Sequence, residues 1–262
     1  MKYVYNPKKT LTLIIIAATI GSWTLLPALA AATVKTASTS AGTASSSSGS
    51  QSASSQAQQQ QHLQNIISKG NAEINRRLTS LGQLSGQITS SAKLAAADQT
   101  ALEAEVNSEI SGLKSLQTQL DSETQLSNAI KDAQSIISDY RVYALILPKV
   151  WLIKTADNQQ ATEAKLSVFA QKLQTRLTAE QTAGKDATTL LTDLAAMNSD
   201  ISSAQSISSS IEQSVVPLQP TDYDTNHSVL SGDAAQLKTA HANNVAAYNQ
   251  AQAIVNGLES LK

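Results

Sequence analysis

Between Ala187 and Val215 the inward-type residues recur in strict alternation of three and four: Ala187, Leu190, Leu194, Met197, Ile201, Ala204, Ser208, Ile211 and Val215. That period matches one face of an α-helix and no face of a strand, whose side chains repeat every two residues. A helix of this length, about 30 residues, spans roughly 45 Å. One such rod cannot cover its own stripe, so the chain must supply further rods. Pro217 and Pro220 end it, and Gly184 with Asp186 marks its start.

The same spacing recurs elsewhere. Leu63, Ile67, Gly70, Ile74, Arg77, Leu81, Leu84 and Ile88 form a seam of about four heptads, imperfect at Gly70 and Arg77. A second stripe runs through Leu102, Val106, Ile110, Leu113, Leu116 and Leu120, and a third through Leu126, Ile130, Ala133, Ile137 and Tyr140. Leu166, Phe169, Leu173 and Leu177 mark a fourth. The last helix is expected from about Val229, with Leu230, Ala234, Leu237, His241, Tyr248, Val255 and Leu258 inward. Short polar breaks between long helices predict antiparallel neighbours. The expected fold is all-α: an elongated antiparallel helical bundle with coiled-coil character over residues 62–262. Only 3% of the 262 residues are aromatic, which suits helix seams better than a thick sandwich core.

Two segments precede the bundle. Lys2, Lys8 and Lys9 stand before an apolar stretch from Leu11 to Leu26, which Pro27 breaks ahead of Ala28-Leu29-Ala30. This is the layout of a signal peptide over residues 1–30, cleaved after Ala30. The charge-free run from Thr10 to Val34 is also long enough for an uncleaved anchor. Either way the expected location is extracytoplasmic, secreted or tethered at the cell surface. Residues 31–61, rich in Ser, Gly and Gln, read as a disordered linker, since they hold too little apolar surface to offset chain entropy. With no cysteine, stability outside the cell must come from packing. Beyond residue 30 there are 16 basic and 20 acidic residues, a net charge of −4 with no basic stripe. Nucleic acid is therefore not an expected partner.

One segment departs from the amphipathic pattern: residues 140–154, with Tyr140, Tyr143 and Trp151 and an apolar middle interrupted by Pro148. Three readings are open: a core helix kinked at Pro148, a partner-binding surface with Tyr140, Tyr143 and Trp151 as anchors, or a membrane-inserting tongue over Val142–Ile153. Pro148 is expected to break or kink the helix and to push Leu147 toward extended backbone.

Ala72-Glu73-Ile74-Asn75-Arg76-Arg77-Leu78, the Ala97-Asp98-Gln99 helix start, and Tyr140-Arg141-Val142-Tyr143-Ala144-Leu145 followed by Pro148 form a pattern over roughly residues 63–180. It resembles uncharacterised exported helical proteins of reduced-genome, candidate-phylum bacteria. The resemblance implies export and helicity, and carries no activity and no functional residues.

No residues match a catalytic, cofactor or metal motif. Asp222, Asp224, Asn226 and Asp233 fall at positions 1, 3, 5 and 12 of a calcium loop, but His227 stands where glycine is needed and the two prolines leave no entering helix. A capping turn is the expected role. His241 is expected inside the last helix's seam. The function class left is a structural or interaction protein of the cell envelope, binding a protein or polymer through helical faces. The alternative is a membrane-active protein using Val142–Ile153. Neither an enzyme nor a bound cofactor is expected. The N-terminal segment can contact membrane, and the seams can close within one chain or between copies.

Overall fold

The structure is a computed structural model and describes residues 48–261, with side chains from Ser54 onward. The expected signal segment and residues 31–47 of the expected linker lie outside the described residues. The described part is all-α: α1 (Ser48–Thr89), α2 (Ala96–Ser122), α3 (Leu126–Ser138), a π-helical turn (Val142–Ile146), α4 (Leu147–Thr182), α5 (Thr188–Val215), α6 (Pro220–Thr225) and α7 (Asp233–Ser260).

Two groups of three helices meet at the start of α4, which belongs to the second. Helices α1, α2 and α3 pack together, and α4, α5 and α7 pack together. The first part of α4 (Val150, Leu152, Ile153, Ala156) lies in the same apolar core as Leu81, Ile88, Leu102, Val106 and Leu113. Its second part (Leu166, Ala170, Leu173, Leu177) lies in a separate core with Leu194, Met197, Ile201, Ala251 and Ile254. Helix α4 thus runs from one core into the other.

The α1 seam forms as spaced, with Ile74, Leu81 and Ile88 fully buried. Its two irregular positions have reasons. A Cβ on Gly70 would come within 2.5 Å of Leu120 Cδ2, so glycine lets α2 approach. Arg77 is buried against the Tyr143 ring, its guanidinium 5.1 Å from the centroid, and pairs with Glu73. Upstream, α1 reaches back to Ser48, into the stretch whose composition reads as linker. Residues 54–62 of this extension are exposed. Ala and Gln are good helix formers, and elongation from an existing helix avoids the nucleation cost. The α5 seam also forms as spaced, from Leu194 to Val215.

Three expected faces are corrected. In α3 the buried residues are Ala129, Asp132 and Ile136, while Ile130 and Ile137 are exposed. The helix is turned by about one residue because Ile136 meets α1 beside Gly70. In α4, Ala170 is buried and Phe169 is exposed. In α7, the seam is Asp233, Leu237, Ala240, Asn244, Ala247, Ala251, Ile254 and Leu258. His241 and Tyr248 lie outside it, and His241 is exposed. Alanines carry this seam because α7 nests between α4 and α5, where small residues permit close approach.

Pro148 does not break the chain as expected. Leu147 is helical, at φ −63° and ψ −48°. The π-helical turn explains it. The amide of Ile146 bonds the carbonyl of Arg141, and that of Leu147 bonds Val142, each five residues back. Pro148, with no N–H, then falls in the first turn of α4, where a missing donor costs little. Arg141, at φ 40° and ψ 32°, is the one non-glycine residue with positive φ among the described residues. Its side chain is anchored on α6, Nε 2.6 Å from Asp224 Oδ1 and the guanidinium 5.6 Å above the Tyr223 ring. Asp222 and Asp224 accordingly belong to a short helix with a capping box, instead of the simple turn expected.

Candidate functional site

The three aromatic residues singled out by sequence do not converge. Tyr140 packs against α2: a Cβ on Gly112 would meet its Cε1 at 2.7 Å. Burial raises its hydroxyl pKa, and Asp139 and Glu109 add to the effect. Tyr143 leaves the π-helical turn toward α1, its hydroxyl 3.2 Å from Ser80 Oγ and its ring beside Arg76 and Arg77. Trp151 is different. It is 51% exposed on α4, while its neighbours Val150, Leu152 and Ile153 are buried. The apolar segment Val142–Ile153 is therefore core through Val142, Leu145, Ile146, Val150, Leu152 and Ile153, with Trp151 turned outward.

Trp151 begins an outward stripe on α4. Lys154, Thr155, Asn158, Thr162, Lys165 and Phe169 follow at steps of one, three or four, all exposed or half-exposed. At 1.5 Å per residue, Trp151 and Phe169 stand about 27 Å apart on this face. Two exposed aromatics on a solvent-facing helix suit the core of a partner surface, with the two lysines at its rim.

Around Lys149, α4 buries a charge. The side chain is 1% exposed, with Nζ 2.9 Å from Glu105 Oε1 and 2.7 Å from the Leu218 carbonyl. Glu109, one turn along α2 from Glu105, has its pKa pushed up to about 7: burial is the main cause, the Glu105 charge adds, and Lys149 opposes. Farther along α4, Glu163 is fully buried and accepts from Ser208 Oγ (2.9 Å) and Asn244 Nδ2 (3.3 Å). Burial raises its pKa against those two hydrogen bonds. With Gln159 donating to the Leu237 carbonyl (2.8 Å), this forms a polar layer linking α4, α5 and α7, in which Glu163 Oε2 and Asn244 Oδ1 have no hydrogen-bond partner.

The sequence did not reveal a third feature. Asp98 in the first turn of α2, Asp157 in α4 and Glu212 near the end of α5 each bring one carboxylate oxygen to within 4.8 Å of the others. Asp98 and Asp157 are buried, and Glu212 is half-buried. The backbone N–H of Ala95 donates to Asp157 Oδ2 (2.7 Å), and Gln160 Nε2 donates to Glu212 Oε2. The pKa of Asp98 is raised to about 7, first by burial, then by hydrogen bonding to and the charge of Glu212, and then by Asp157. Burial also raises Asp157, while the Ala95 amide opposes the rise. A shallow groove of about 460 Å³, lined by Asp98, Ser209, Glu212, Gln213, Val216 and Pro217, opens beside the trio. These carboxylates are the described residues best placed to hold a metal ion. No serine or histidine stands in a nucleophile–base arrangement among the hydrogen bonds of the described residues.

No local signal could have exposed the trio, because its members are 59 and 55 residues apart in sequence. Among the described residues, no helix is long and apolar enough to cross a membrane. Comparison with known protein families, with curated proteins and with solved structures finds no match to this chain, so its site stands on its own geometry.

Proposed function

We propose that this protein is an exported structural or interaction protein of the cell envelope, engaging an envelope protein or polymer through the outward face of α4. The supporting observation is Trp151. A helix otherwise buried on adjacent positions leaves a large indole half in solvent, and such a residue is a common anchor at interfaces. Lys154, Lys165 and Phe169 continue the face. Export rests on the Lys-flanked apolar N-terminus and its Ala28-Leu29-Ala30 cleavage pattern. The Ser/Thr-rich segment ahead of α1 then serves as a tether, and the three–four seams give the bundle its coiled-coil character.

The test is capture from envelope extract by the full-length chain. Trp151→Ala should lose the captured partner while keeping its helical circular dichroism. Unchanged capture by the variant would refute the α4 face as the contact. Fusion of residues 1–61 to a reporter active only outside the cytoplasm tests export: no reporter activity would overturn that part. Membrane activity makes the opposite prediction for dye-loaded vesicles, which an interaction protein should leave intact.

A further inference from the structure

We infer that Asp98, Asp157 and Glu212 form a divalent-cation site that ties the two helix groups together. The spacing fits. Calcium holds oxygens at roughly 2.3–2.6 Å, so oxygens opposite one another about it stand about 4.8 Å apart and adjacent ones closer. The three ligand oxygens lie within 4.8 Å of one another.

A second observation points to an occupant. Asp98 and Asp157 are 7% and 4% exposed, and Asp98 Oδ2 and Asp157 Oδ1 are shielded from solvent with no hydrogen-bond partner. In their charged form, these carboxylates are costly unless a proton shared with Glu212 or a bound cation neutralises them. Among the described residues, no lysine or arginine forms an ion pair with any of the three. Lys93, two residues before the amide that bonds Asp157, places its ammonium on Asn158 Oδ1 at 2.8 Å.

The donor set selects the ion. All-carboxylate ligation suits hard cations such as calcium, magnesium or manganese, and disfavours copper or zinc relative to sites with imidazole or thiolate. The groove beside Asp98 and Glu212 gives water access to the remaining coordination positions. Three protein ligands imply weak binding, with a dissociation constant on the order of 10⁻⁴ to 10⁻³ M. Asp98 belongs to the first helix group, and Glu212 and Asp157 to the second, Asp157 on the part of α4 that enters the first core. A bound ion would therefore cross-link α2 to α5 through α4.

Thermal melts of the full-length chain, stripped with chelator and then titrated with calcium, magnesium or manganese at constant ionic strength, test the site. At ten times the dissociation constant the midpoint should rise by about 3–5 °C. Manganese electron paramagnetic resonance should count one ion bound. Asp98→Asn and Glu212→Gln should each raise the midpoint in chelator, by removing a like charge, and abolish the ion response. Glu212 is half-buried, so its variant keeps the test open if Asp98→Asn fails to fold. An unchanged wild-type midpoint at 10 mM cation, on the order of ten or more dissociation constants, would overturn the proposal: protons alone would then neutralise the trio. An equal ion response in the two variants would overturn it as well, by placing the ion elsewhere.

Discussion

At the scale of single residues, glycines show how the same residue type serves opposite ends. Around Gly82 and Gly86 nothing lies within 4 Å of an added Cβ. Each mid-helix glycine costs α1 stability through chain entropy. Gly82→Ala and Gly86→Ala should each stabilise the protein by about 0.5–1 kcal/mol, read as an increase in the urea midpoint. At Gly112 an added methyl group would meet the rigid ring of Tyr140 at 2.7–3.2 Å. Gly112→Ala should therefore destabilise by about 1–3 kcal/mol, and stability equal to wild type would show that the ring moves freely. Glu109 gives the pH dependence at this scale. Its native pKa of about 7 lies above its ordinary value of 4.5. The native state thus binds more protons than the unfolded chain between those values, and stability falls as pH rises through that window, levelling above it. Burial raises Glu163 in the same direction. Melting midpoints should be lower at pH 8 than at pH 5, and Glu109→Gln should flatten the difference.

At the scale of elements, legibility in the sequence followed side-chain size. The α5 seam could be read because Leu, Met, Ile and Val mark nearly every inward position. In α7, Ala240, Ala247 and Ala251 are inward, while the larger His241 and Tyr248 mark a competing face at the same helical spacing. Burial there is decided by how closely α4 and α5 approach, which no single helix encodes. The π-helical turn was likewise hidden: Pro148 signals a missing donor, but only the geometry from Arg141 to Leu147 shows how the chain accommodates it. As for the sites, Trp151 could be picked out as an aromatic in an apolar run, whereas its outward direction could not. The trio of Asp98, Asp157 and Glu212 depends on three helices meeting. The alanine seam makes its own prediction. Ala247→Leu, at a fully buried position between α4 and α5, should cost about 1–3 kcal/mol by overpacking. A chemical-denaturation curve superimposable on wild type would contradict so tight an approach.

At the scale of the whole described molecule, α4 belongs to both cores, and this predicts how the bundle opens. The two helix groups should unfold together, because the start of α4, the end of α5 (Ile211, Val215) and the start of α7 (Leu237) lie in the core of the first group. Hydrogen-exchange mass spectrometry should find the cores of α2 and α7 limited by the same opening free energy. A protected α7 with a freely exchanging α2 would argue for two independent units. The shared helix also restricts how this chain can vary in length. One residue added to α4 between Gln159 and Leu166 would advance everything beyond it by about 1.5 Å and swing it through about 100°, turning the distal seam away from its neighbours. Insertions and deletions among relatives should accordingly fall at the bends near residues 183–187 and 226–232, and at the exposed start of α1, leaving the length of the central rod unchanged.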